Sequence, residues 1–146
     1  MRIGCDLMRV GRLADEMLDA SDPFVRSTFT DTEISAATES PDRRMYYAKV
    51  FSIKESVYKT LRIDDDRRAD LERMLGRPLS FRDIHVDCSR DWPAASLSDD
   101  LSEALGVVSC DISVSYDGDL VMSTAIVDFA DSAVADSAVA DSAIAD

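Results

Sequence analysis

From Pro41 to about Leu61 the chain runs on with no glycine and no second proline, and this stretch does most to limit what it can fold into. About 20 residues at about 1.5 Å each make a helix of about 30 Å, the span of a small domain. A helix of that length must lie at the centre with everything else packed around it. Ser40 ahead of Pro41 reads as an N-cap before a proline at the first helical position, which sets the expected start. Thr30 followed by Glu33 is a capping-box pattern and predicts a second helix just before it.

Around this rod the hydrophobic period changes to two. Residues 2–8 place Ile3, Cys5 and Leu7 on one face and Gly4 and Asp6 on the other, a strand whose acid looks away from the core. Residues 109–116 alternate Cys110, Ile112, Val114 and Tyr116 against Asp111, Ser113 and Ser115. Asp117-Gly118 then predicts a type I′ hairpin turn into Leu120–Phe129. That last strand is apolar on both faces apart from Ser123, Thr124 and Asp128, as a central strand would be. Between these ends, Val10, Leu13, Ala14, Met17 and Leu18 have the spacing of a short amphipathic helix. The charge-dense segment 62–77 reads as a loop and a short helix. Phe81, Ile84 and Val86 suggest a strand over 80–88, and Ser98 heads another short helix. The sum is α+β: an antiparallel sheet packed against a long central helix.

This reading assigns 1–129 to one domain and 130–146 to an acidic low-complexity tail, whose DSAVA repeats match neither the helical nor the strand period. With 16 Lys+Arg against 29 Asp+Glu the net charge is −13, and no basic run stands alone, which argues against nucleic acid as a partner. No apolar leader and no run approaching about 18 apolar residues is present, so no membrane association and a cytoplasmic location are expected. Cys5, Cys88 and Cys110 lack CxxC spacing and are expected to be buried thiols, not a disulfide framework or a zinc site. His85, in a predicted strand, is expected to be structural. Tyr46, Tyr47, Phe51 and Tyr58 at helical spacings read as core or subunit contacts.

Within the long helix, Lys59 follows Glu55 by four residues, so the two share a face. Spacing alone makes that a surface ion pair. The combination of segments says more. IGCDLMRVGRL (3–13), FTDTE (29–33), KVFSIKESVYK (49–59), LSFRDIHV (79–86) and DISVSYDGD (111–119) stand in the order of corresponding segments in the holo-[acyl-carrier-protein] synthase family of 4′-phosphopantetheinyl transferases. The chain resembles that family over most of residues 1–129. The resemblance implies a phosphopantetheinyl transferase-like fold and Mg²⁺-dependent transfer of 4′-phosphopantetheine from coenzyme A to a serine of an acyl carrier protein, releasing 3′,5′-ADP, in fatty acid or polyketide biosynthesis.

Such a reaction needs a hard cation held by oxygens and a positive group at the leaving phosphate. The resemblance implies Asp6 and Glu55 as metal ligands, Glu55 or a metal-bound water as the acceptor of the serine proton, and Lys59 as the group facing the leaving phosphate. Lys49, Lys54, Ser115 and Tyr116 are implied coenzyme A contacts, and Arg9, Arg12 and Arg26 implied contacts to the acidic carrier. A homotrimer with sites at the subunit interfaces is implied as well. The alternative is a non-catalytic or repurposed protein on the same fold, binding a carrier protein or another ligand without transfer. It is motivated by two departures, Leu61-Arg62-Ile63-Asp64-Asp65-Asp66 where the family has Gly-Thr-Gly and Tyr116 for a histidine; Trp92-Pro93 for Gly-Lys-Pro and Lys49 for an arginine depart from the pattern as well.

Overall fold

The long helix is present as α3, Arg43–Leu61. It starts two residues beyond Pro41 because Asp42 supplies the cap: its carboxylate accepts from the Met45 N–H at 2.9 Å, while the Ser40 hydroxyl donates to the Asp42 carbonyl. A computed structural model describes residues 1–131, so the expected tail lies, after its first two residues, outside the described residues. In chain order the other elements are β1 (Arg2–Arg9), α1 (Pro23–Thr28), α2 (Asp31–Glu39), α4 (Asp65–Leu75), β2 (Ile84–Asp87), β3 (Ala94–Leu97), α5 (Asp99–Leu105), β4 (Val107–Asp117) and β5 (Leu120–Phe129). Strands β1, β5 and β4 form an antiparallel sheet in that order, and β2 pairs with β3. β5 is central, as its two-sided apolar pattern predicts. Among the described residues no helix is long and apolar enough to cross a membrane.

One row of α3 sets how closely the sheet can approach. Ser52, Ser56 and Thr60, four apart, are all buried and small. Ser52 and Ser123 share a hydroxyl hydrogen bond of 2.8 Å, and the Ser56 and Thr60 hydroxyls donate back to carbonyls of their own helix. Opposite this row β1 carries Gly4, where a Cβ would lie 2.1 Å from the Ser56 carbonyl oxygen. Only glycine fits, because the obstacle is backbone. Gly4→Ala should therefore push β1 off α3 and cost about 3 kcal/mol, the upper end of overpacking costs. Urea unfolding checks this, and a loss below about 1 kcal/mol would mean the strand shifts freely.

The same contact inverts the expected facing of β1. Gly4 and Met8 turn inward and Asp6 is directed at α3, while Ile3 and Leu7 are each 62 % exposed. Cys5 is exposed with them, and Cys88 and Cys110 are half-buried, so none of the thiols is fully buried as expected. Apolar residues on a strand mark a face but not what covers it. Here Ile3 and Leu7 lie beside Ile126 and Met122 of β5, both of them exposed, in one apolar strip on the outer side of the sheet.

Three further expectations are corrected. The segment Val10–Leu18 is not one helix but two 3₁₀ turns, Val10–Arg12 and Asp15–Leu18, separated at Leu13, which is extended and buried. A continuous helix could not bury Leu13 and Leu18 at both sites that the chain fills here. The β4–β5 turn is type II′ in kind and not I′: Gly118 alone has positive φ (+58°), and Asp119 lies outside the left-handed region. The strand expected over 80–88 keeps only Ile84–Asp87, since Ser80 and Asp83 form a capping box around a 3₁₀ turn at Phe81–Asp83. β3 is an unanticipated strand. Its four residues bury only Leu97, too little alternation to read.

Behind α3 the core is aromatic. Phe29 packs on Tyr47 at 4.5 Å and edge-on to Phe24, and Phe81 lies against Phe51 and Tyr58. Amid these side chains sits an ion pair with no solvent contact. The Lys54 ammonium meets Glu33 at 2.8 Å and donates to the carbonyls of Phe81 (2.9 Å) and Ile84 (2.7 Å). Glu33 accepts in addition from the backbone N–H of Thr30 and of Val86, each at 2.8 Å. The predicted capping box at Thr30 is thus present, and its glutamate also joins α2, α3 and β2. Burial pulls the Lys54 pKa down and Glu33 pulls it back up.

Candidate active site

The close approach at Gly4 carries Asp6, two residues on and on the same face, beside the Glu55–Lys59 turn of α3. There Asp6 Oδ1 accepts from the Lys59 ammonium at 2.9 Å, and Lys59 also donates to the Cys5 carbonyl at 2.8 Å. The other carboxylate oxygen, Oδ2, is buried and has no hydrogen-bond partner. Glu55, one turn before Lys59, is half-buried beside it. Desolvation first, and then the negative charge of Asp6, push its carboxyl pKa up, with Lys59 pulling the other way. Sequence spacing joined Glu55 to Lys59, whereas the structure joins Lys59 to Asp6 and sets Glu55 against both.

Asp6 and Glu55 open onto a cavity of about 360 Å³ whose apolar wall includes Met17, Phe24 and Phe51 and whose polar edge includes Arg12. Arg12, on the first 3₁₀ turn, is exposed. A second cavity, about 170 Å³, lies between α3, β4 and the 88–93 loop, and Lys49 and Tyr116 line it together with Cys88, Arg90 and Trp92. Lys49 also lies 5.7 Å above the Tyr46 ring. Sequence reasoning did not place Cys88 and Arg90 here, since no pattern links that loop to β4.

The remaining candidates stand elsewhere. Lys54 is not a phosphate contact: it is fully buried and its three N–H donors are spent on Glu33 and two carbonyls. Ser115 alternates with Tyr116 and so points to the outer side of the sheet, in register with Met122, away from Lys49. Arg9 is held by Asp119 at 3.1 Å on the hairpin. Arg26 is exposed on α1 and does not line the carboxylate cavity. His85 is exposed on β2, not a core residue, and borders a separate opening of about 450 Å³ with Thr30 and Asp87. The aspartates at 64–66, which would repel phosphate in an open loop, serve α4 instead. Asp64 caps it by accepting from the Arg67 N–H at 2.8 Å, and Asp65 and Asp66 occupy the first turn, where the helix dipole favours negative charge.

The family model described as the 4′-phosphopantetheinyl transferase superfamily matches residues 2–118. The chain belongs to that superfamily. Among curated relatives, a holo-[acyl-carrier-protein] synthase of Sulfurovum sp. (strain NBC37-1) is 28% identical over 131 residues, covering 88% of this chain and 98% of its own. Two solved structures share the fold. The Helicobacter pylori holo-[acyl-carrier-protein] synthase, solved in complex with coenzyme A, superposes with a TM-score of 0.67 at 22% identity, covering 86% of this chain and 99% of its own. The Neisseria meningitidis synthase gives a TM-score of 0.66 at 21% identity, over 87% and 97%. As a phosphopantetheinyl transferase, the protein has the α+β fold that its sequence resemblance implies, and the paired carboxylates lie on two of the resembling segments, 3–13 and 49–59.

Proposed function

We propose that this phosphopantetheinyl transferase moves 4′-phosphopantetheine from coenzyme A to the serine of an acyl carrier protein, in the presence of Mg²⁺ and with release of 3′,5′-ADP. The observation that carries the reading is the pair Asp6 and Glu55 at the mouth of one cavity, with a buried carboxylate oxygen that nothing satisfies and a lysine beside it. An unpaired buried oxygen is expensive unless a cation completes it. Among the described residues no group of three or more His, Cys, Asp or Glu is placed to hold a metal ion. Two carboxylates suit Mg²⁺, which keeps waters and takes its remaining oxygens from substrate phosphates. When bound, the ion would neutralise charge on the pyrophosphate.

The serine oxygen attacks the pantetheine-side phosphorus, a new P–O bond forms, and the bond to the 3′,5′-ADP oxygen breaks. Glu55 receives the serine proton, a role its raised pKa favours by making it a stronger base than an exposed carboxylate. Lys59 faces the charge that develops on the departing phosphate. Arg12 offers the acidic carrier a positive contact at the rim, a local exception in a chain of net charge −13. The exposed strip of Ile3, Leu7, Met122 and Ile126 supports self-association, and the resemblance makes the assembly a homotrimer with sites between subunits; light scattering reports its mass.

The test is the intact mass of an apo acyl carrier protein after incubation with this protein, coenzyme A and Mg²⁺. The expected result is a gain of one phosphopantetheine that EDTA abolishes and added Mg²⁺ restores. Mg²⁺ should also raise the melting temperature of the wild type and not of Asp6→Asn, since ligation stabilises only a folded site. No gain across several carriers, with coenzyme A still bound, would favour a binding-only protein on the same fold.

A further inference from the structure

The proposed reaction makes no use of the repeat that follows the fold. Residues 131–146 present Asp-Ser three times, at Asp131-Ser132, Asp136-Ser137 and Asp141-Ser142, each followed by alanine and then valine or isoleucine. No basic residue interrupts them. In chemistry this is what the proposed acceptor offers, a primary hydroxyl on an acidic segment. The carboxylate cavity has a group to meet each part of it. Arg12 is exposed at its polar edge and forms no ion pair among the described residues. Met17, Phe24 and Phe51 make its apolar wall, and Glu55, with its raised pKa, is the base for a hydroxyl proton.

Reach decides which serine can enter. The fold lets go of the chain at Ala130, whose N–H donates to the Gly106 carbonyl at 2.8 Å. Asp6 lies in register with Ser123, so at about 3.4 Å per residue the cavity stands about 24 Å back along β5 from Ala130. A fully extended chain covers at most about 3.3–3.6 Å per residue, which takes Ser132 about 7 Å from Ala130 and Ser137 about 25 Å. The first falls far short, and the second has no slack to round the edge of the sheet. Ser142 commands about 40 Å. Its repeat is also the one in which isoleucine, Ile144, replaces valine, and aspartates stand on both sides of it, Asp141 and Asp146. We infer that Ser142 is an internal acceptor, which enters the carboxylate cavity in the carrier's place and takes phosphopantetheine onto its own hydroxyl. This rests on the proposed transferase reading. The Ser142 oxygen forms the new bond to the pantetheine-side phosphorus, the bond to the 3′,5′-ADP oxygen breaks, and Glu55 takes the hydroxyl proton. Asp141 answers Arg12, and Ile144 meets the wall of Met17, Phe24 and Phe51. A tethered acceptor is held at an effective concentration of about a millimolar, so these short contacts need little affinity of their own.

The test is the intact mass of the full chain after incubation with coenzyme A and Mg²⁺ and no carrier, with the modified residue located from peptide masses. The wild type should gain one phosphopantetheine on the fragment that bears Ser142. Ser142→Ala should lose that gain, and so should Glu55→Gln, which removes the base from the cavity. A gain that persists in Ser142→Ala, or that falls on Ser132, overturns the assignment. A gain that survives Glu55→Gln places the reaction outside the cavity and overturns it as well. An apo acyl carrier protein added to the same mixture separates the two readings. A wild type that modifies the carrier and never itself overturns the inference and leaves the transferase standing. One that modifies Ser142 but no carrier upholds the inference and removes the carrier as acceptor. One that modifies neither overturns both.

Discussion

Lys54→Met should destabilise the protein by about 3–5 kcal/mol, the cost of leaving one member of a buried ion pair without the other. Both partners are out of solvent, at 0% and 1% side-chain exposure, so no water can replace what is lost. Methionine fills much of the lysine volume, which keeps the aromatic packing around Phe29 and confines the loss to charge and hydrogen bonds. Glu33 would retain two backbone N–H donors, from Thr30 and Val86, while the carbonyls of Phe81 and Ile84 would each lose a donor. For a chain of this size the melting temperature should fall by roughly 10 °C or more. Pairing the change with Glu33→Gln should recover part of that loss, since the double variant buries no lone charge. Thermal and urea unfolding check both. A single-variant loss below about 1 kcal/mol would show that Glu33 is neutralised some other way.

Glu55→Gln should do the opposite: spare the fold and remove the reaction. A glutamine cannot accept the serine proton and is a poorer ligand for a hard cation, so transfer should fall by about 10²-fold to 10⁴-fold. The effect on stability follows from the raised pKa. A carboxyl whose pKa is higher folded than unfolded adds stability below its unfolded pKa, and that contribution is lost as pH rises through the folded value. At neutral pH, charged Glu55 therefore opposes folding, with desolvation and then Asp6 as the causes. Replacing it with a neutral isostere should leave the melting temperature unchanged or raise it, the signature of a residue kept for chemistry at the expense of stability. Transfer measured by carrier mass, beside thermal unfolding of the same sample, decides it. Retained activity would remove Glu55 from the mechanism.

These two residues, neighbours in sequence, show what the sequence does and does not disclose. Both lie in 49–59, one of the five stretches that resemble the family, and spacing identifies the stripe of Glu55 and Lys59. Nothing in that stretch says that Lys54 turns inward. Its partner Glu33 is 21 positions away and is itself readable only as a helix cap. Long-range charge pairing leaves no periodic trace. β1, β4 and β5 were legible as strands because alternation is local, and β5 as central because it is apolar on both faces, whereas the four residues of β3 alternate too little to read. The facing of β1 was not, since the deciding fact is a glycine against a helix carbonyl. Asp6 was therefore identified by resemblance, while its orphaned oxygen and its contact with Lys59 belong to tertiary structure alone.

The order β1-β5-β4 has a consequence in time. Among the described elements the strand that bears Asp6 leaves the ribosome before all others, and its hydrogen-bonded neighbour β5 after all others, with Asp6 in register with Ser123. Synthesis adds about 5–20 residues per second, so the helix carrying Glu55 and Lys59 is complete seconds before the edge of the sheet can close. Until β5 arrives, β1 has no ladder to fix its height against α3. The two carboxylates become a pair only once β5 has been made, and a product that stops short of β5 carries the residues of the site without the site.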